Sequence, residues 1–146
     1  MKLTVSTLVH APLPTVWDAF WKSEHIVRWC FASDDWHCPK SDSPEPGVGV
    51  VFCNTFAAKD GSASFDFTAR YDLVEPMKRV SYTMGEMKEY FLPAGREVEV
   101  VFEETPDGIR VTEIFDAEDV HSHEMQIAGW SAILENFKRH SEGLAK

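Results

Sequence analysis

The sequence predicts an α+β domain: a curved antiparallel sheet of about six strands wrapped around a long C-terminal helix, with two short helices after the first strand. Three observations carry this. Between Val48 and Asp116 short segments alternate apolar and polar residues and are separated by turn residues. From Ser122 to Leu144 apolar residues return every three or four positions, the period of a helix with one buried stripe. Half-wet strands need a cover on their apolar face, and only that last helix is long enough to supply it.

Each element follows from its residues. "KLTVSTLVH" is rich in Val, Thr and Leu and reads as a strand ending at "APLP", because Pro12 and Pro14 cannot donate to a ladder. Pro14 suits a first helical turn, and "TVWDAFWKSEHIVRWC" continues with Val16, Trp17, Phe20 and Trp21 at helical spacing. Ser23 before Glu24 can end that helix and cap a second, ending near Trp29. The following stretch, "WCFASDDWHCPKSDSPEPGVG", reads as a loop from its Pro, Ser, Asp and Gly content. "VGVVFCNTF" is a strand, and "KDGS" has the Asp-Gly signature of a tight hairpin. In "SFDFTARYDLV", Phe65, Phe67, Ala69, Tyr71 and Leu73 alternate with Asp66, Thr68, Arg70 and Asp72. "RVSYTM" is short. "REVEVVFEE" sets Val98, Val100 and Phe102 against Glu97, Glu99 and Glu103, "TPDG" turns, and "IRVTEIFD" closes the meander. In the final helix the stripe is Ile127, Trp130, Leu134, Phe137 and Leu144, interrupted by Ser141.

Length and composition narrow the function. The 146 residues make one domain with room for a core, residues 1–146. A formal net charge of −10 disfavours nucleic acid and anionic membrane as partners, since both would repel the average surface. No apolar run approaches the ~20 residues of a membrane span, and the N-terminus lacks a secretory signal, so a cytoplasmic address is the default. Cys30, Cys38 and Cys53 are an odd set and read as free thiols.

The order of elements, with "APLPTVWDAFWKSEHIVRW", "FASDDWHCP", "AKDGSASFDF", "VTEIFD" and "EMQIAGWSAILENFK", resembles the START-like (Bet v 1-like, SRPBCC) superfamily. Within it, the chain is similar to bacterial proteins related to the C-terminal domain of the activator of heat shock protein 90 ATPase. The resemblance spans nearly the whole chain. It implies a helix-grip fold with a cavity between sheet and long helix, often holding an apolar ligand. It carries over no catalytic set, and the eukaryotic activator's separate chaperone-binding domain has no counterpart in this sequence.

The residues themselves offer several candidate sites. Cys30, His37 and Cys38, with Asp34 or Asp35, could be considered as zinc ligands, but the spacing fits no zinc pattern and adjacent His37 and Cys38 converge poorly. The nearby acids Asp34, Asp35, Asp42 and Glu45 disfavour a reactive thiolate. The stretch therefore reads as a loop at a cavity mouth anchored by Trp29, Phe31 and Trp36, with Asp34 or Asp35 bonding turn amides. His121 and His123 lack the zinc spacing with Glu124 and read as surface residues at a helix entry.

Glu113 is different. If Ile109, Val111 and Phe115 face inward, period two sends Glu113 inward as well, and Asn54, Tyr71 and Tyr82 join it by the same count. Glu113 is either a polar fixture of an apolar pocket, a general acid or base, or a structural carboxylate paired with Arg70, Arg96 or a tyrosine hydroxyl.

The leading expectation is a non-enzymatic binding protein for a small apolar or amphipathic ligand, with no cofactor and no metal. Ile127, Trp130, Leu134, Phe65, Phe67, Tyr71, Tyr82, Val100 and Phe102 supply the walls, and Glu113 and Asn54 the polar anchors. The alternatives are a cyclase- or hydrolase-like enzyme using Glu113, and a chaperone-associated interaction protein. The last would use "GEMKEYFLPAG", whose Tyr90, Phe91, Leu92 and Pro93 suggest a lid, a homodimer contact or a partner surface.

Overall fold

The structure, a computed structural model, describes residues 1–87 and 92–145. Its elements are β1 (Lys2–Val9), α1 (Leu13–Trp21), α2 (Ser23–Trp29), β2 (Trp36–Asp42), β3 (Val51–Ala58), β4 (Ser64–Glu75), β5 (Arg79–Met84), β6 (Glu97–Thr105), β7 (Gly108–Asp116) and α3 (His123–Leu144). The strands form a curled antiparallel sheet in the order β1-β7-β6-β5-β4-β3-β2. The chain starts at one edge, crosses to the other through α1 and α2, then meanders back strand by strand.

That route places the helices. α3 packs against β1 at one edge, α2 against β2 at the other, and the two helices meet over the concave face. Three polar ties hold α3 to β1: Thr7 Oγ1 donates to Glu135 (2.9 Å), Lys138 Nζ to the Leu8 carbonyl (2.6 Å) and the His10 amide to Glu142 (2.9 Å). Beneath α1 and α3 lies the main core, in which Val9, Val16, Val80, Val98, Val100, Val111, Phe115 and Phe137 are fully or almost fully buried. A smaller cluster of Ile26, Cys30 and Cys38 sits at the β2 end.

The sheet has seven strands, one more than expected, because the stretch read as a loop contains β2. Its polar composition hides it, and Pro39 removes an amide donor, which only an edge strand tolerates. β2 is an edge, and its pairing with β3 slips between His37 and Lys40, around that proline. In β4 a register shift between Tyr71 and Leu73 changes the inward set. Beyond it Val74, not Leu73, opposes Val80 and packs on the core.

Other local expectations are also revised. Ser23 does not cap α2. Lys22, in extended backbone (φ −74°, ψ 130°), ends α1 and begins α2. Ser23 Oγ instead accepts the Ser43 amide, while Ser43 Oγ donates to the Trp21 carbonyl (2.5 Å), so the corner between the helices is pinned beside the end of β2. The cap of α3 is Ser122, whose hydroxyl accepts the Met125 amide. Gly108, at φ +149°, meets the Val9 carbonyl so closely that a Cβ there would lie 2.6 Å from its oxygen. The β6–β7 turn can therefore be tucked against β1 only without a side chain.

Candidate functional site

The concave face does not close completely on its helices. A cavity of about 430 Å³ remains between β3, β4, β5 and β7 on one side and α2 and α3 on the other. The phase of each strand decides what reaches it. Asn54 on β3 pairs with Phe67 on β4, and Tyr71 pairs with Tyr82 on β5, so these side chains share the inner face. Phe52 lies among them, 4.9 Å from the Tyr71 ring and 5.2 Å, edge on, from Tyr82. Trp36 and Phe65 approach each other nearer the rim, at 5.9 Å.

The helical wall is held as firmly. Trp130 stacks on Phe115 with centroids 4.0 Å apart and planes within 4°. Trp29 donates its indole N–H to the Ala19 carbonyl (2.9 Å) and meets Phe137 edge on. Both tryptophans face the cavity with one surface fixed from behind, an arrangement that keeps a wall in place without a ligand.

Glu113 lies on β7 between Val5 of β1 and Val100 of β6 and is one of the residues lining the cavity. Among the described residues it makes no hydrogen bond and no ion pair. The expected structural partners do not reach it. Arg70 reaches Asp72 on the outer face, and among the described residues neither Arg96 nor a tyrosine hydroxyl bonds Glu113. Burial pushes its pKa up to about 8, so at neutral pH the group is mainly a carboxylic acid able to donate a proton or a hydrogen bond. Its proximity, after burial itself, also raises the Tyr82 phenol. Tyr71 is raised by burial alone. Asn54 is committed on one side, its carbonyl accepting from Ser41 Oγ at 2.7 Å.

Cys30 and Cys38 come together at the α2 side. Their shared thiol hydrogen bond raises Cys30, which burial raises further, and lowers Cys38, whose Sγ also donates to the Lys40 carbonyl. His37 and the neighbouring acids do not join them: among the described residues no three His, Cys, Asp or Glu side chains gather as a metal site. Asp35 accepts the Ser33 hydroxyl rather than a turn amide, and Trp29 belongs to α2 rather than to the loop.

The remaining polar end was not foreseen as part of the site. Glu118 is buried and accepts from the Val120 amide, the His121 amide and His121 Nδ1. Gln126 clasps the same turn: its Oε1 accepts the Glu118 amide, and its Nε2 donates to the Glu118 and His121 carbonyls. With them, Arg96 lines the cavity. Burial works against its charge, and the fields of Glu118 and Asp116 favour it. His121 is thus held against the rim of the cavity while its side chain stays partly exposed, and His123 is exposed.

Several expected wall residues lie elsewhere. Ile127 is 38 % exposed and does not border the cavity, because α3 turns Gln126, one residue earlier, into the protein. Val100 and Leu134 lie deeper, beside a narrow gap behind Trp29, and Phe102 is packed by Trp17 and Phe20. Leu92 is buried and bridges to Met87 at the cavity wall, so it presents no exposed surface, and Pro93 is exposed. Tyr90 and Phe91 lie outside the described residues.

The model of the family described as "Activator of Hsp90 ATPase homolog 1-like protein" matches residues 10–142. The chain belongs to this family. Among solved structures, an AHSA1-like protein from Aeromonas hydrophila is 42% identical, with a TM-score of 0.86, over 99% of this chain and 94% of that one. A Cytophaga hutchinsonii protein, Chr148, is 39% identical, with a TM-score of 0.78, over 98% and 93%. Protein CV1439 from Chromobacterium violaceum shares the fold at 20% identity, with a TM-score of 0.84 over 97% and 96%. No curated protein matches the chain. Among the described residues no helix is long and apolar enough to cross a membrane.

Proposed function

We propose that this chain binds a small apolar or amphipathic molecule in the cavity between the sheet and the helices α2 and α3. The observation that carries the reading is the space itself: about 430 Å³ left open beside aromatic rings that are fixed from behind. That volume lies in the range of small-molecule sites, as does a lining of aromatic and aliphatic side chains with a few convergent polar groups. Glu113 and Asn54 are the anchors on the sheet side, Glu113 as a neutral donor. The ligand-binding character of START-like folds at the family level supports the same reading.

Native mass spectrometry of freshly purified protein, followed by denaturing extraction, reads any retained compound directly. Titration with Nile red, an uncharged apolar probe, tests the cavity independently of what co-purifies. Binding should be lost in Phe67→Ala and Trp130→Ala and retained in Ile127→Ala. An empty protein that leaves Nile red unbound refutes the proposal.

One observation favours a second reading, an enzyme in which Glu113 is the general acid or base: it lines the cavity, its carboxyl is unpaired among the described residues, and burial pushes its pKa up to about 8. Any activity that survives Glu113→Gln unchanged removes it.

A further inference from the structure

Arg96 is an uncommitted cation on the wall of the cavity. It enters β6 immediately before Glu97, and it is one of the residues lining the cavity, as are Met87 and Leu92. The Nε–H is buried and has no acceptor among the described residues. Among the described residues the rest of the group makes one weak contact, Nη2 against the Met87 thioether at 3.9 Å. No ion pair reaches it among the described residues. Arg79, by contrast, is held by Glu75 and Glu99, both on the surface.

The acids nearest to Arg96 are already used. Glu118 takes three N–H donors from its own turn, and Asp116 pairs with Lys2 (2.9 Å) and accepts the Glu97 amide. Their fields help to keep Arg96 charged without occupying its donors. A guanidinium offers five N–H groups in a planar fork that fits two oxygens of one carboxylate, and leaving such donors dry and unpaired is costly. The residue that carries these donors lines a cavity whose other walls are largely apolar.

We infer that the ligand of this cavity is an amphipathic anion, with an apolar body against Phe52, Phe67 and Trp130 and a carboxylate or similar oxyanion on Arg96. This rests on the cavity being a binding site and adds the charge of its occupant. The chain's net charge of −10 does not oppose it, because exposed charges more than about 8 Å away are screened at physiological salt, whereas Arg96 acts in direct contact.

The test compares decanoate with decanol, which share a chain and differ in the head group, by displacement of Nile red and by calorimetry. Wild type should bind decanoate at least about tenfold more tightly than decanol, as expected for a charge-assisted hydrogen bond out of water. Arg96→Gln should bring the two affinities within about threefold while decanol binding persists, and Arg96→Lys should restore part of the preference. Arg70→Gln, which removes the same charge from the outer face, should keep it. Equal binding of the two ligands by wild type refutes the role of Arg96 and leaves the cavity reading intact, whether or not the variants fold. A preference that survives Arg96→Gln refutes it as well. Binding of neither ligand, nor of Nile red, overturns both.

Discussion

Glu113→Gln should change not only the stability of the protein but the way that stability depends on pH. In the folded chain the carboxyl holds its proton up to about pH 8, whereas in the unfolded chain it gives it up near 4.5. Below the lower value both states are protonated and burying the neutral acid costs little. Between the two values only the unfolded state ionises, so folding stability falls as pH rises, by about 1.4 kcal/mol per pH unit. Above the upper value both states are ionised and the loss is complete. The full difference is about 5 kcal/mol, and about half that if water in the cavity shares the charge. Glutamine has nearly the same shape and no proton to lose. Urea unfolding of both proteins from about pH 5 to about pH 9 should therefore give curves that diverge with pH, the variant being the more stable at the alkaline end. A constant gap across that range would mean that Glu113 is ionised in the folded protein, and the reasoning about its burial would fail.

Other outcomes are as specific. His25 Nδ1 and His140 Nε2 lie 3.0 Å apart between α2 and α3, and burial, helped by His25 and Arg28, lowers His140. Its contribution to stability is present above the unfolded value of 6.5 and is lost as pH falls below it, so His140→Gln should flatten that acid limb when measured in a Glu113→Gln background. Gln126→Ala removes all three side-chain bonds to the Glu118–His121 turn and should cost about 2–3 kcal/mol in urea unfolding, with weaker hydrogen-exchange protection at the Glu118 amide. Gly108→Ala forces a Cβ toward the Val9 carbonyl and should destabilise by about 1–3 kcal/mol, visible as loosened β1–β7 exchange.

Period-two and helical patterns made most of the sheet and α3 legible, because β4, β6 and β7 each bury one face. The same counting brought Glu113 and Asn54 inward, a prediction that needs only the strand's alternation. It failed where the pattern breaks. β2 carries a proline and a register slip on an edge, so no alternation marks it. Ile127 fits an apolar stripe, but the buried position of that turn belongs to Gln126, whose bonds to the backbone outweigh its polarity. Glu118 and Arg96 face the cavity because of how a turn and a strand entry fold, and no local pattern announces either. Leu92 looked like the tip of an exposed segment, and its bridge to Met87 folds it inward.

The route of the chain also sets an order of assembly. β1 is the edge strand beside β7, with Lys2 opposite Asp116 and Val9 opposite Ile109. During synthesis the first strand and the helices behind it emerge long before the strand that must receive them, and the cover for that edge, α3, comes last. The β3–β6 meander can form from neighbours as it appears, but the N-terminal edge waits for almost the entire chain. Closing so long a loop is slow, and until it closes an unpaired strand and an uncovered apolar face are open to other chains.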